Sequence, residues 1–138
     1  MRYLKGTAGV GLFFNSFSSL HISAYADADW GPSLDDRRST SGMCVYFGNN
    51  LISWSSRKQK VVAKSSTEAE YRAVSQAASE VLWLSSLFYE LGITLPACPV
   101  IWCDNTSAAS LAQNLIFHAR TKHIEIDVHF ILVGLLKI

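Results

Sequence analysis

Charge is scarce in this chain of 138 residues: only 17% are Asp, Glu, Lys or Arg, and the formal net charge is +1. A balance so close to neutral excludes a strongly basic tail, so any grip on nucleic acid must come from local patches. Cysteine is limited to Cys44, Cys98 and Cys103, an odd number with no C-x-x-C spacing. That argues against a disulfide framework and a zinc site, and for reduced, buried thiols in an intracellular protein. No apolar run reaches the roughly 18 residues of a membrane span. The opening MRYLKGTAG lacks the apolar centre of a secretory signal. There is no G-x-S-x-G elbow, no internal repeat and no low-complexity linker. Apolar residues, by contrast, make up 49% of the chain. That is enough for a real core and argues against disorder. One domain is the expectation.

Along the chain, MRYLKGT reads as a short helical tail stopping at Gly6. VGLFFN and LHISAYADA read as strands that pair across the polar SFSS link. WGPSLDDRRSTSG is a loop, and MCVYFGNNLISWSS a hairpin turning at Gly48, Asn49 and Asn50. Trp54 is expected to pack in the hairpin or core, with base stacking as the lesser alternative. Ser65 begins the clearest helix, with Glu68 three residues on to close a capping box. Apolar residues then recur at helical spacing at Ala73, Ala77, Val81, Leu84, Phe88 and Leu91, before Gly92 ends the run. PVIWC is a short strand suited to burial on both faces. It leads into DNTSAASLAQN, a short helix that Asp104 or Thr106 can cap. RTKHIEIDVHFILVGLL predicts a last helix with Ile124, Val128, Ile131 and Leu135 on one side. Strands first, then helix, strand, helix and helix, give an α/β or α+β layered fold with a mixed sheet.

Three acids stand out against this frame. Asp27 and Asp29 in YADADW share one strand face, with Cα atoms about 6.6 Å apart. Their repulsion favours a cation between them or solvent around them, the latter being natural for a strand end entering the Gly31–Pro32 loop. Glu70 lies on the apolar stripe facing the sheet, whereas Glu68 is rotated from it by about 200°, toward solvent. A core-facing carboxylate is costly without compensation. Alternatively, Thr67 caps the helix and Glu70 closes a second capping box. Asp104 follows directly on a strand, where ligand groups gather in open α/β sheets, although an N-cap role is compatible with that. Three hard oxygen ligands converging on one point suit Mg²⁺ or Mn²⁺. Two such ions about 4 Å apart promote phosphodiester hydrolysis.

YADADWG, DDRRSTSG, ISWSSRKQKVVAKSSTEAEYRA, WCDNTSA and HARTKHIEIDVHF closely resemble, in order, the ribonuclease H domain of copia-type LTR retrotransposon Pol polyproteins. The resemblance implies a ribonuclease H-like α/β fold, with a central five-stranded mixed sheet flanked by helices. It also implies cleavage of the RNA strand of RNA–DNA hybrids with two Mg²⁺ ions. By motif, Asp27 matches the first catalytic aspartate, Glu70 in AEY the helix glutamate, and Asp104 in CDN the third acid; Asp29 is a neighbour. Residues 1–10 resemble the end of the connection segment from the reverse transcriptase domain, the implied partner in the intact element. Residues 11–138 resemble an incomplete ribonuclease H domain. No membrane partner is implied.

The chain departs from the family pattern near its end. The family's fourth acid lies further downstream, and HFILVGLLKI replaces the usual charged continuation. Leu115 stands where the family has proline after Asn114. The last strand and helix are therefore expected to be absent, leaving an exposed edge prone to self-association. Glu125 and Asp127 are the nearest substitutes for the fourth acid, with surface roles as the alternative. Arg57, Lys58, Lys60 and Lys64 form one basic group, and His118, Arg120, Lys122 and His123 another. Each is a candidate phosphate grip or a solvated face. Asn105, Ser66 and Thr67 are candidates for 2′-hydroxyl contacts. His118 and His123 are poorly spaced for a zinc site. Two functions follow: a two-metal ribonuclease H, or a catalytically inactive truncated relic that at most binds nucleic acid. No spacing supports a zinc-dependent or serine hydrolase.

Overall fold

The computed structural model describes residues 5–16, 19–31, 36–105, 107–108 and 136–137. The expected last helix falls outside these residues except at Leu136, as do residue 106 and residues 109–114 of the expected 104–114 helix. His118, Arg120, Lys122, His123, Glu125 and Asp127 also fall outside them.

Five strands and one long helix are described: β1 Ile22–Asp29, β2 Thr40–Phe47, β3 Asn50–Lys58, α1 Ser66–Glu90, β4 Val100–Trp102 and β5 Leu136–Lys137. The sheet order is β3-β2-β1-β4-β5. β1, β2 and β3 form an antiparallel meander, while β4 runs parallel to β1 and β5 parallel to β4. The mixed sheet matches the sequence expectation. The β2–β3 hairpin turns where expected, and Gly48 adopts φ 57 there, a conformation cheap only for glycine. A register shift between Val45 and Tyr46 re-aims the end of the hairpin.

Several expectations change. VGLFFN is not a strand: Val10 and Phe13 are 77% and 90% exposed. This run lies in loop, tied at its end by Asn15 N–H donating to Asn50 Oδ1 (2.7 Å) and Asn50 Nδ2 donating to the Asn15 carbonyl (3.0 Å). Its apolar residues favour β structure but do not alternate with polar ones, so no face is specified for pairing. The expected missing fifth strand is present, with Ile101 paired to Leu136 and Trp102 to Lys137. The β-compatible end of HFILVGLLKI supplies two residues to the edge of β4. Finally, the thiols are free but not uniformly buried: Cys103 is buried, Cys44 half-buried and Cys98 exposed.

α1 covers one face of the sheet. Ala24, Ala26 and Ala28 of β1 are buried with Ala69, Ala73, Ala77 and Ala78 of α1, around Val45, Val74, Val81 and Ile101. Small side chains on both sides let the helix backbone approach the sheet closely. The helix start is fixed by Ser65, whose Oγ accepts from Glu68 N–H at 3.1 Å. Glu68 reaches back to Lys64 N–H (2.8 Å), one residue before the cap, and pairs with Arg72 at 2.8 Å. It is thus engaged near the helix start, as expected, but half-buried where a solvent-facing side was expected. Thr67 lies within the helix, so the alternative second capping box does not form. The helix ends in a Schellman motif: Gly92 has φ 73, its N–H reaches the Tyr89 carbonyl, and Ile93 N–H reaches the Phe88 carbonyl.

The opposite face presents Tyr25, Cys44, Tyr46, Trp54 and Trp102. Tyr25, Trp54 and Trp102 are 51%, 58% and 39% exposed, and no described residue covers them. Trp54 is therefore not a core residue, and β4 is buried on one face rather than two. No helix among the described residues is long and apolar enough to cross a membrane.

Candidate metal centre

β1 and β4 run parallel, with Tyr25 beside Trp102. Asp27 lies two residues further along β1 and Asp104 two residues past the end of β4, both at the carboxyl ends of neighbouring strands. Both acids line one open cavity of about 580 Å³, together with Tyr25, Gly42, Cys44 and Trp102. Gly42 is the cross-strand partner of Asp27 and carries no side chain to fill the space in front of it.

The helix supplies the third acid. β4 ends at Trp102, so beyond Tyr25 the β1 edge has no strand partner on that side. The Ala28 N–H there donates to the Glu70 carboxylate. The close alanine packing of α1 on β1 is what lets Glu70 reach this edge. Gln59 helps hold the helix in place: its Nε2 donates to Ser41 Oγ and to the Ala69 carbonyl, both at 2.9 Å. Trp30 Nε1 ties the preceding loop by donating to the Ala63 carbonyl at 3.1 Å. Sequence reasoning missed Gln59 and Trp30 because a contact between distant elements leaves no periodic trace.

Glu70 is buried, and its Oε2 has no hydrogen-bond partner. Burial pushes its pKa from 4.5 up to about 7, helped by the charges of Asp27 and Asp104 and opposed by the Ala28 N–H. Facing carboxylates cannot donate to one another while ionised, so the arrangement calls for a proton or a cation between them. The donor set of hard oxygens therefore fits a divalent ion. Glu70, Cys103 and Asp104 each place a ligand atom within 4.8 Å of the others. The Cys103 thiol was not anticipated as a member. Burial pushes its pKa up, with the charges of the three acids adding to the rise and the Asn105 backbone opposing it.

The helical turn at residues 107–108 is capped by Asn105 rather than Asp104. Asn105 Oδ1 accepts from Ala108 N–H at 2.9 Å. The Asp104 carboxylate is exposed and spared that duty. Asn105 itself is thereby engaged, while Ser66 is exposed and Thr67 half-buried near the helix start. Arg57, Lys60 and Lys64 are exposed, but Lys58 donates to Asp36 Oδ2 at 3.0 Å. Lys58 and Arg38 together hold the Asp36 carboxyl well below the usual carboxylate range. Asp29 lies on the Asp27 face, exposed and outside the cavity lining.

Comparison with known proteins decides the family. The chain is 53% identical over 131 residues to the retrovirus-related Pol polyprotein from transposon RE1 of Arabidopsis thaliana, a match covering 95% of this chain. It is 41% identical, over the same share, to that from transposon TNT 1-94 of Nicotiana tabacum. The chain belongs to the copia-type Pol polyprotein family, as a domain of ribonuclease H fold. It spans about a tenth of the length of these curated relatives. No family model matches the chain. The fold is supported by solved structures. LC11-RNase H1 in complex with an RNA/DNA hybrid gives a TM-score of 0.52 at 15% identity, covering 84% of each chain. The N-terminal RNase H domain of Mycobacterium tuberculosis Rv2228c gives 0.53 at 13%, covering 80% of this chain and 72% of that one.

Proposed function

We propose that this Pol-family domain is a ribonuclease H that hydrolyses the RNA strand of RNA–DNA hybrids, using Mg²⁺ or Mn²⁺ held by Asp27, Glu70 and Asp104. One observation carries the reading: the buried Glu70 carboxylate, with its Oε2 unpartnered, feels the charges of both Asp27 and Asp104 at the carboxyl end of two parallel strands. The fold it shares with an RNase H1 crystallised on a hybrid supports the substrate class. A pair of divalent ions supplies Lewis-acid stabilisation and lowers the pKa of the attacking water.

The chain's own residues do the rest. Asp27 is held by the β1–β2 ladder and Glu70 by its bond to Ala28 and the Gln59 clamp. Asp104, at the mouth, remains exposed to incoming ligand. Holding a cation would require Glu70 to give up the proton that burial and the neighbouring acids help it keep. Ser66, Thr67 and the amide nitrogen of Asn105 are candidates for 2′-hydroxyls, and exposed Arg57, Lys60 and Lys64 for phosphates, with Lys58 joining them on leaving Asp36 and Arg120 and Lys122 as candidates from sequence alone. Residues 1–10 lead from the reverse transcriptase domain, which acts on the same hybrid in the intact element.

The test is direct. Purified chain is incubated with hybrid labelled on its RNA strand, with Mg²⁺ or Mn²⁺, beside an Asp104→Asn control. Metal-dependent cleavage confined to the RNA and absent from the control is expected. A folded chain that leaves the hybrid intact overturns the proposal and identifies an inactive relic.

A further inference from the structure

We propose that Glu70, Cys103 and Asp104 form a thiol-containing ligand set that takes a thiophilic divalent ion, Zn²⁺ or Cd²⁺, in competition with the hard-ion site. The inference rests on Glu70 and Asp104 being cation ligands, not on cleavage of a hybrid. The three ligand atoms lie within 4.8 Å of one another. Two observations point to an ion here rather than a chance cluster. Glu70 is only 8% exposed, and its Oε2 is buried without a partner. The Cys103 sulfur, only 7% exposed, makes one long contact to the Asn105 carbonyl at 3.9 Å. An arriving ion thus has little to displace at either atom. The cavity lined by Asp27, Cys103 and Asp104 gives it an entry path.

Ligand chemistry separates the two classes of ion. Mg²⁺ and Mn²⁺ prefer oxygen and gain little from sulfur, whereas Zn²⁺ and Cd²⁺ bind thiolate strongly. On binding, the Cys103 S–H bond breaks, its proton passes to solvent, and a sulfur–metal bond forms with no change of oxidation state. The ion then occupies Glu70 and Asp104, two of the three acids of the hard-ion site. Zinc-class ions are therefore inhibitors that act on the acids themselves.

The experiment uses the chain with Cys44→Ser and Cys98→Ser, leaving Cys103 as its single thiol. Circular dichroism confirms folding. Metal-free protein is titrated with Cd²⁺ while the ultraviolet thiolate-to-cadmium absorption is followed, and bound Mn²⁺ is monitored by electron paramagnetic resonance. One saturable absorption step per chain, coincident with release of Mn²⁺, is expected. Adding Cys103→Ser must abolish the absorption and the release while Mn²⁺ binding persists. Mn²⁺ binding without any cadmium–thiolate absorption overturns the inference and leaves the hard-ion site standing. Absorption in a protein that never binds Mn²⁺ supports the thiol site and defeats the hard-ion reading instead. Should the two-serine protein fail to fold, the unmodified chain serves, and Cys103→Ser alone must remove the step that displaces Mn²⁺.

Discussion

Replacing Glu70 with glutamine stabilises the metal-free domain at pH 8. Folding raises the Glu70 pKa from 4.5 to about 7, so the folded state holds the proton more tightly than the unfolded chain. For an acid raised in this way, stability falls as pH climbs from 4.5 to 7, and the whole penalty remains above 7. At about 1.4 kcal/mol per pH unit, the rise corresponds to at most about 3.5 kcal/mol. The cavity is open to water, which screens the charges and leaves about 1–2 kcal/mol. Glutamine keeps the shape, removes the charge, and can donate through its amide to Asp27. For a domain of this size the gain is about 3–8 °C in Tm. The assay is thermal unfolding in EDTA at pH 5 and pH 8, followed by circular dichroism. The two proteins converge at pH 5, where Glu70 is largely protonated, and Glu70→Gln melts higher at pH 8. Saturating Mn²⁺ reverses the order, because the ion stabilises only the protein that binds it. A wild-type chain that melts as high as Glu70→Gln at pH 8 without metal refutes the strained-carboxylate reasoning.

Other outcomes follow from the supports of the site. Gln59→Ala removes two buried hydrogen bonds linking β2 to the first turn of α1. It also removes the unpartnered Oε1, so the net cost is about 1–2 kcal/mol in urea unfolding, with weaker Mn²⁺ binding. Ser65→Ala costs about 1 kcal/mol by the same measurement, through loss of the N-cap bond to Glu68.

Much of the placement of the candidate site's residues was legible because its parts obey local rules. Alternation along β1 put Asp27 and Asp29 on one face, and they lie on the face away from α1. The 3.6-residue stripe placed Glu70 against the sheet, where it is buried. The hairpin was legible from a glycine between two β-rich runs. Where the outcome hung on the surroundings of an element, the sequence was silent. Trp54 and Trp102 looked like core residues because nothing in their spacing says that one sheet face stays uncovered by the described residues. VGLFFN looked like a strand, yet a strand also needs a partner edge. Asp104 and Asn105 are equally good cap formers in sequence; the fold gives the cap to Asn105, which frees the acid.

The central claim is that three acids from three elements share one cation. Mn²⁺ binding by electron paramagnetic resonance, at one pH and ionic strength, tests it on four variants. Asp27→Asn, Glu70→Gln and Asp104→Asn each weaken binding by about tenfold or more, some 1.4 kcal/mol. Asp29→Asn, on the same strand face but outside the cavity lining, leaves it within about threefold. Equal losses at Asp27 and Asp29, or an unchanged affinity in Glu70→Gln, would contradict the account.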